Sequence, residues 1–435
     1  MDGSVVETAR INCSKICRAA AQNLAFSGTA ARSPVQIGTE YVDKPPSTSS
    51  LHIVLVLPTY LPESFGGAEQ QSRKFAATLV REGVKVTLLA PRIEAATPAR
   101  ETKDGAGIIR FRLTSLPNLG GRHFLSLAWW SLRTAWWLWR HRRSYDVVHI
   151  VHGRLHAVGP LIGAKLAGRP ALIKFGRGGY DFDIDTVKNK RLLGPQFAAL
   201  VKRLTTGFIA NSAQMIADVE RHGIEKAFVH RIPNGVIMPQ AEPRAARERA
   251  ENTFLFMGRF DREKALDTML KGIAGLADKN AAKLMLVGNG PREEELMALA
   301  RDLGIAARVE FTGRMDDVTP ALRKADFYLS TSLSEGMSNS VLEAMSFGVV
   351  PVVTRVSGVE DMVEDGTNGY LFEAGDISSC VEALERAAAT PPERYARMSA
   401  AARETLAARF GMENVVGQHI ALYRSLPGIR RAENE

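Results

Sequence analysis

The chain has 435 residues, of which 45% are hydrophobic and 24% charged. This balance excludes a fibrous or low-complexity protein and predicts a globular one large enough for two hydrophobic cores. No apolar run reaches the roughly 20 residues of a membrane span, and the first 30 residues lack the apolar core of a secretory signal, so we expect a protein that is neither integral nor exported. Cys13, Cys17 and Cys380 form neither a disulfide framework nor a set of zinc ligands, which favours a reducing, cytoplasmic location.

The formal net charge of +9 is distributed unevenly along the chain. Residues 51–240 contain 27 Lys and Arg against 13 Asp and Glu, whereas residues 241–435 contain 24 against 30. We therefore expect the basic half to face an anionic partner. Charge alone does not choose between nucleic acid and a phospholipid surface.

Residues 1–50 open the chain with a segment that is rich in Ala and Ser and shows little periodicity. Such a composition predicts a mostly disordered extension. From residue 51 onward, short β-branched runs alternate with helical patterns, which predicts a parallel sheet with helices on both faces. The predicted strands are His52–Leu57, Val84–Ala90, Ile108–Leu113, Asp146–Val151, Pro170–Phe175 and Thr206–Ala210.

A glycine pair, Gly66 and Gly67, follows the first strand and precedes the apolar stripe of a predicted helix. Glycines leave the free N–H groups of a helix start open to an anion or a sugar hydroxyl. A plain turn explains the same pattern, so the pair alone does not decide between the two interpretations.

All five tryptophans lie in one predicted helix within residues 124–143. We interpret the longest stripe at helical spacing as the core face. Its members are Leu125, Trp129, Leu132, Trp136 and Trp139. Trp130 and Trp137 lie beside Arg133 and Arg140 on the adjoining face, an arrangement suited to a lipid interface. With the basic first half, this predicts peripheral association with an anionic membrane surface; the alternative is a packed helix whose Arg stems cover the rings.

The alternating pattern restarts after a polar stretch at 240–252, which predicts a second doubly wound domain. Its predicted strands are Thr253–Met257, Lys283–Val287, Arg308–Thr312, Asp326–Ser330 and Val350–Thr354. In open α/β sheets a ligand binds beyond the carboxyl ends of the strands. Two such domains in tandem are therefore expected to enclose a ligand in the cleft between them.

Arg259 and Lys264 follow the first strand of the second domain and precede a helix predicted to begin near Leu266. An Arg fork and a Lys point charge at a strand exit can converge on one diphosphate. A solvated charged loop is the alternative, since Asp261, Arg262 and Glu263 lie between them.

Glu335 and Glu343 flank the start of a helix predicted to begin at Ser340. Glu343 stands three residues after Ser340, so a capping box explains it as well as a ligand contact does. Glu335 has no cap or ion-pair partner visible in the sequence and suits sugar hydroxyls. The amides around Ser338–Ser340, at the positive end of the helix, would favour a phosphate.

These residues resemble a known family. The motifs are Gly66-Gly67-Ala-Glu, Ile232-Pro-Asn-Gly-Val236, Gly258-Arg259 with Lys264, Gly288-Asn-Gly-Pro291, and Glu335 through Glu343 followed by Ala-Met-x-x-Gly-x-x-Pro. In this order, over His52 to Phe410, they resemble the group-1 family of retaining glycosyltransferases with the GT-B fold. The resemblance implies an α/β architecture of two Rossmann-like doubly wound domains facing each other across a cleft.

The resemblance also implies a domain organisation and a function. Residues 51–236 would form the acceptor-side domain, 237–410 the nucleotide-sugar-binding domain, and 411–435 a C-terminal helix that packs back on the first domain. The implied reaction moves a hexose-type sugar from a nucleotide-diphosphate sugar, such as a UDP-sugar, to a glycan or lipid-linked acceptor. Cell-surface polysaccharide or lipopolysaccharide biosynthesis is the implied context, in the cytoplasm or peripherally on the inner face of the membrane.

Site roles follow from the resemblance residue by residue. Glu335 would contact the donor sugar and Glu343 the ribose hydroxyls, while Arg259 and Lys264 would bind the diphosphate. The remaining expected donor contacts are the backbone at Ser338, Asn339 and Ser340, Asp317 near the base, and Gly67 beside the phosphate and acceptor. Glu335, Arg259 and Lys264 are the expected catalytic residues. Since side chains supply the positive charge, we expect neither a metal nor a cofactor.

Two positions depart from the family pattern. Ala265 stands where the family usually has Gly, and Lys174-Phe-Gly-Arg-Gly-Gly179 lacks the His that many members place after this strand. Backbone groups of 176–179, with Arg177 as an added phosphate contact, or His149 and His152 on the preceding strand, are the candidate replacements.

Three other functions remain as alternatives. A nucleotide-sugar epimerase would need acid and base groups across the sugar, and a phosphorylase usually needs a lysine-bound pyridoxal phosphate; the motifs indicate neither. A basic nucleic-acid-binding protein would need a nucleic-acid motif with interleaved aromatic residues, which the basic half lacks. A nucleic-acid partner is therefore not expected.

Overall fold

The structure, a computed structural model, describes residues 51–64, 66–113, 124–176, 182–190, 193–240, 251–278 and 282–429. The extension predicted at 1–50, most of the polar stretch at 240–252 and the 177–179 segment lie outside these described residues. The described chain contains two α/β domains, each built on its own sheet, which confirms the predicted fold class.

The first sheet has eight described strands in the spatial order β3-β4-β2-β1-β5-β6-β7-β8. They are β1 (His52–Val56), β2 (Lys85–Arg92), β3 (Arg100–Lys103), β4 (Ala106–Arg112), β5 (Val147–Val151), β6 (Ala171–Lys174), β7 (Gly207–Ala210) and β8 (Val229–Arg231). All pairs are parallel except β3 with β4. The sequence did not predict β3 or β8, because one is charged and exposed and the other has only three residues.

The second sheet has six described strands in the order β11-β10-β9-β12-β13-β14, all parallel. They are β9 (Asn252–Met257), β10 (Ala282–Val287), β11 (Val309–Gly313), β12 (Phe327–Ser330), β13 (Val350–Thr354) and β14 (Tyr370–Phe372). Five of them match predicted strands, and β14 was missed because its apolar run is only three residues long.

Helices cover both faces of each sheet. In the first part of the described chain they are α1 (Gly67–Arg81), α2 (Phe124–Arg140), α3 (Val158–Ala167), α4 (Asp183–Lys188), α5 (Gly194–Leu204) and α6 (Ala213–Arg221). In the second part they are α7 (Leu266–Gly275), α8 (Glu293–Asp302), α9 (Thr319–Lys324), α10 (Asn339–Ser346), α11 (Ile377–Ala388), α12 (Pro392–Arg409) and α13 (Met412–Ser425).

The alternation of side chains along β1 shows how the first sheet builds two cores. Val54 and Val56 point to the face covered by α2 and α3, whereas Ile53 and Leu55 point to the face covered by α1 and α13. Although α13 follows the second sheet in the chain, its apolar residues pack against the first sheet. They include Met412, Val415, Val416, Leu422 and Tyr423.

The predicted faces of the tryptophan helix, α2, are reversed in the structure. Trp130 and Trp137, expected beside the lipid interface, are 1% and 7% exposed and pack in the core with Leu138. The stripe expected in the core is exposed, by between 43% and 79%. Its members are Leu125, Trp129, Leu132, Trp136 and Trp139. The core face includes Thr134, whose hydroxyl donates to the Trp130 carbonyl, and this polar residue hid the shorter stripe in the sequence.

Candidate active site in the cleft between the sheets

A cleft of about 2360 Å³ is lined by residues of both domains. Its walls are loops that follow the carboxyl ends of the strands, where open α/β sheets bind ligands. All nine residues predicted to form the site line this cleft. They are Gly67, Arg259, Lys264, Asp317, Glu335, Ser338, Asn339, Ser340 and Glu343.

Glu335 has an ion-pair partner that was invisible in the sequence. The ammonium of Lys264 donates to Glu335 Oε1, which also accepts a hydrogen bond of 2.9 Å from Ser332 Oγ. Lys264 ends a short 3₁₀ turn whose cap is the Asp261 carboxylate, so the loop fixes the lysine beside the cleft. A cation and a carboxylate, the two groups expected at a sugar diphosphate, are therefore in direct contact.

The turn around Lys264 explains the family's preference for glycine at the next position. Ala265 has a φ of 46°, in the left-handed region, and is the N-cap of α7. A side chain in this region costs about 1 kcal/mol relative to glycine. Thr331 Oγ1 donates to the carbonyl oxygens of both Lys264 and Ala265 at 2.9 Å, which holds the strained turn.

The capping box considered for Ser340 and Glu343 does not form. Helix α10 begins one residue earlier than expected, Ser338 is its N-cap, and no side chain caps the helix start. Ser340 Oγ instead accepts a hydrogen bond of 2.8 Å from the hydroxyl of Tyr328. The N–H groups at the start of α10 are thus not used by a side-chain cap and lie on the cleft wall.

Glu343 joins the two domains rather than capping its helix. Its Oε1 accepts from the ammonium of Lys74 on α1, 269 residues away in the chain. Both side chains are about one-third exposed in the cleft. The carboxylate predicted to hold ribose hydroxyls is therefore accessible and has a cation from the opposite wall as its partner.

Asn339 forms a second connection across the cleft. Its amide donates to the Gly67 carbonyl at 3.1 Å, and its Oδ1 accepts from Asn234 Nδ2 at 2.9 Å. A Cβ on Gly67 would lie 3.3 Å from Asn339 Nδ2, so glycine permits this close approach. The Gly66–Gly67 loop and the motif around Asn234 are thereby brought to the helix start of α10.

Gly66 and Glu69, two other residues of the glycine motif, stabilise the loop that carries Gly67. Glu69 is 7% exposed, and its Oε1 accepts from Thr59 Oγ1 at 2.5 Å and from Ser64 Oγ at 2.7 Å. A Cβ on Gly66 would collide with the Glu69 carboxylate. The motif therefore combines a buried carboxylate that orders the loop with a glycine that makes room for it.

Arg259 and Asp317 are both exposed and both line the cleft. Arg259 is exposed on the cleft wall after β9, beside the loop that carries Lys264. Asp317 Oδ1 accepts from the Thr319 N–H at 2.9 Å at the start of α9, and this hydrogen bonding lowers the pKa of Asp317. Asp317 thus has a structural role at the helix start, in addition to lining the cleft.

Asp183, at the start of α4, was not predicted and orders the first-domain side of the cleft. Its buried carboxylate accepts from the Gly153 N–H at 3.1 Å, the Gly176 N–H at 3.0 Å and Arg154 Nε at 2.9 Å. Burial alone would raise the pKa of Asp183, but His152, Arg154 and the Gly176 amide hold it well below the ordinary value. One carboxylate therefore holds the loops that follow β5 and β6.

The two histidines considered as replacements for the family His differ in position. His152 lies at the cleft with its Nδ1 3.7 Å from Asp183. His149 is 1% exposed, and its Nδ1 lies 2.6 Å from the hydroxyl of Tyr423 on α13. A Cβ on Gly176 would collide with the His152 ring, so this glycine leaves space for the histidine.

The two domains also meet through glycines. A Cβ on Gly336, beside Glu335, would collide with the carbonyl oxygen of Gly176 in the first domain.

Within the described residues, no group of three or more His, Cys, Asp or Glu is placed to hold a metal ion, and no helix is long and apolar enough to cross a bilayer.

Comparison with known proteins identifies the family. The family model "Glycosyl transferase 4-like domain" matches residues 66–235, and "Glycosyl transferases group 1" matches residues 239–405. The lipopolysaccharide core biosynthesis glycosyltransferase LpsE of Rhizobium meliloti (strain 1021) is 33% identical over 171 residues, which cover 39% of this chain and 49% of LpsE. The chain thus spans about half the length of this relative.

Solved structures agree on the fold. Sucrose-phosphate synthase from Thermosynechococcus elongatus aligns with a TM-score of 0.71 at 21% identity, covering 86% of this chain and 98% of that one. Anabaena Alr3699/HepE in complex with UDP aligns with a TM-score of 0.66 at 18% identity, covering 86% and 100%. The two facing Rossmann-like domains have the GT-B arrangement. The chain therefore belongs to the group-1 glycosyltransferase family.

Proposed function

We propose that this protein transfers a hexose-type sugar from a nucleotide-diphosphate sugar to an acceptor with retention of configuration. The observation that carries the proposal is the ion pair between Lys264 and Glu335, placed beside the uncapped start of α10. It sets a cation, a carboxylate and free N–H groups side by side in one cleft. A sugar diphosphate has hydroxyls for the carboxylate and phosphates for the other groups.

The leaving group is the main chemical problem in this reaction. As the glycosidic bond to the diphosphate stretches, negative charge grows on the phosphate and positive charge on the sugar ring. Arg259, Lys264 and the amides of Ser338–Ser340 would stabilise the phosphate, and Glu335 would orient the sugar. Preorganised donors of this kind each lower the activation barrier by about 3 kcal/mol. Since Arg259 and Lys264 are cationic, transfer would proceed without a divalent metal.

Ligand binding would exchange protein contacts for ligand contacts. A diphosphate that engages Lys264 competes with Glu335 for the ammonium, and ribose hydroxyls at Glu343 compete with Lys74. Each carboxylate thus keeps a lysine partner until a ligand replaces that lysine. Asp317, at the edge of the cleft, would contribute to reading the base.

We propose UDP as the nucleotide and a glycan or lipid-linked acceptor of cell-surface polysaccharide or lipopolysaccharide biosynthesis. The support is the likeness to Alr3699/HepE, whose structure holds UDP, and to LpsE, whose name places it in lipopolysaccharide core biosynthesis.

The test is a transfer and hydrolysis assay across a panel of nucleotide sugars, followed by assignment of the product anomer by NMR. Glu335→Gln should reduce turnover by about 10²-fold, because it removes the contact expected to strengthen in the transition state. Glu385→Gln, on the exposed face of α11, is the matched control and should retain activity. If no nucleotide sugar binds, or if Glu335→Gln behaves like the control, the proposal fails; an inverted product refutes retention.

We also propose that the exposed stripe of α2 binds the anionic inner face of a membrane. Trp129, Trp136 and Trp139 are 59%, 61% and 43% exposed, and the exposed Arg133 and Arg140 lie on the same helix. Aromatic rings flanked by Arg suit the headgroup region of an anionic leaflet. This location would bring the cleft to a lipid-linked acceptor.

Binding to vesicles of phosphatidylcholine with and without phosphatidylglycerol tests the membrane proposal. The double variant Trp129→Ala, Trp136→Ala should lose salt-sensitive binding to the anionic vesicles. Phe228→Ala, which removes an exposed aromatic residue elsewhere in the first domain, is the control. Equal binding by the double variant and the control would exclude α2 as the contact.

A further inference from the structure

Three polar side chains of the first sheet line the cleft: His149 within β5, Lys174 at the end of β6 and Asn211 directly after β7. His149 on β5 pairs with Leu172, two residues before Lys174 on β6, and Lys174 pairs with Ile209, two residues before Asn211. Paired residues of parallel strands share a face, and every second residue returns to it. His149, Lys174 and Asn211 therefore point the same way, and all three line the cleft.

Lys174 has no ion-pair partner among the residues that the structure describes. None of the ion pairs of the described residues includes it, and burial lowers the pKa of its ammonium to about 8. His149 and His419 interact electrostatically with Lys174, but both are neutral because burial lowers the pKa of each. An ammonium that is desolvated and unpaired carries a free-energy cost that an anionic ligand would remove.

His149 and Asn211 also have polar atoms without partners in the described chain. His149 Nε2 and Asn211 Oδ1 are buried and make no hydrogen bond there. The hydroxyl of Tyr423 lies 2.6 Å from His149 Nδ1, and burial raises its pKa, so it keeps its proton. If the hydroxyl donates to Nδ1, both groups are satisfied and Nε2 carries a hydrogen that needs an acceptor.

The ligand implied by these groups has a defined chemistry. An ammonium and an imidazole N–H, both donors, call for an anionic oxygen, whereas Asn211 Oδ1 calls for a hydroxyl. We propose that Lys174, His149 and Asn211 form an acceptor subsite for a hydroxylated compound that carries a phosphate or a carboxylate. This inference rests on the proposed transfer, because it assigns the acceptor of the same cleft. The donor diphosphate contacts lie on the opposite wall, at Lys264 and the start of α10.

Binding of inorganic phosphate and of malonate, measured by calorimetry with the donor site saturated by UDP, tests the subsite. Wild-type protein should bind one anion per chain under this condition. Lys174→Met should weaken anion binding at least tenfold, as expected for the loss of a charge-assisted contact. Lys174→Arg should retain most of it, and Lys165→Met, which removes an exposed lysine of α3, should bind as the wild type does. Whichever of phosphate and malonate binds more tightly indicates whether the acceptor carries a phosphate or a carboxylate.

Two further variants separate a ligand role from a structural one. Lys174→Met should raise the melting temperature, because it removes an unpaired desolvated cation; a structural lysine would lower it. Asn211→Asp introduces a carboxylate into the subsite. This carboxylate should neutralise the Lys174 ammonium and thereby abolish anion binding. Equal anion affinity of wild type and Lys174→Met, or a marked loss of melting temperature in this variant, would overturn the inference.

The donor site provides an independent readout. UDP affinity should be the same in wild type and Lys174→Met; a matching loss of UDP affinity would show that the ammonium serves the donor diphosphate and would also overturn the inference. If wild-type protein bound no nucleotide, the proposed function would fail by itself. Anion binding without UDP would still report on Lys174 in that case.

Discussion

Replacing Asp183 by Asn should loosen the first-domain wall of the cleft. The carboxylate is fully buried and accepts from two loop amides and from Arg154 at 2.9–3.1 Å. Asn keeps one acceptor oxygen but turns its N–H₂ toward a donor and leaves Arg154 unpaired. Breaking a buried ion pair costs about 3–5 kcal/mol, and we expect about 3 because one acceptor remains. For a domain of this size, that lowers the melting temperature by roughly 6–12 °C.

Calorimetric melting and urea unfolding at pH 7 measure this loss. Asp185→Asn is the matched control, since Asp185 lies on the same helix, is about one-third exposed and pairs with His222 at 3.0 Å. The folded-state pKa of Asp183 lies below its unfolded value, so its contribution is complete above the ordinary Asp pKa and declines as the pH falls below it. The difference between wild type and variant should therefore narrow below about pH 4. A loss under about 1 kcal/mol, equal to that of the control, would refute the assigned role.

Three further outcomes follow from the same structure. Burial lowers the pKa of His149 and His156 to about 3, so the unfolded chain binds more protons than the folded one below about pH 6.5. The free energy of unfolding should therefore fall by about 2 kcal/mol per histidine between pH 7 and pH 5. Urea titrations at both pH values measure this fall. Gly336→Val should collide with the Gly176 carbonyl and reduce transfer by about 10²-fold with UDP affinity retained; unchanged turnover would mean that the two loops need not meet. Transfer should persist in excess EDTA, since side chains supply the positive charge at the diphosphate, and loss of activity restored by Mg²⁺ would contradict this.

The strands that could be predicted are those with long apolar runs. The runs at 52–57 and 253–257 are buried on both faces of a parallel sheet, so their composition alone indicates a central strand. Three of the four described edge strands, β3, β8 and β14, lack such runs, and their existence depends on a neighbouring strand; the fourth, β11, was predicted. The sequence therefore predicts the middle of each sheet better than its edges.

The faces of α2 could not be assigned from periodicity, because the helix has apolar residues on nearly every side. The exposed stripe contains more large apolar residues than the buried one, which includes Thr134. Only the position of the helix over β4 and β5 decides that Trp130 and Trp137 are buried. The prediction of a membrane contact is consequently moved to the opposite face of the same helix.

Within the site, the second-domain residues could be named from motifs, but their partners could not. Glu335 and Lys264 are 71 residues apart in the chain, and Glu343 and Lys74 are 269 apart. These pairs arise from loops that the parallel sheets bring to one edge. Sequence spacing suggested a cap for Glu343, because spacing can indicate only contacts between residues that are close in the chain.

The pair between Lys74 and Glu343 leads to a last prediction about nucleotide affinity. If Glu343 binds the ribose hydroxyls, the ammonium of Lys74 competes with UDP for the same carboxylate. The pair is about one-third exposed, and such pairs contribute roughly 0.2–1 kcal/mol. Lys74→Met should therefore tighten UDP binding by about 1.4- to 5-fold in calorimetry. Arg81→Met, at the far end of α1 beside Glu413, is the control and should leave UDP affinity unchanged. Weaker UDP binding by Lys74→Met would mean that Lys74 contacts the nucleotide directly, and that closure of the cleft adds a cation to the site rather than releasing a carboxylate.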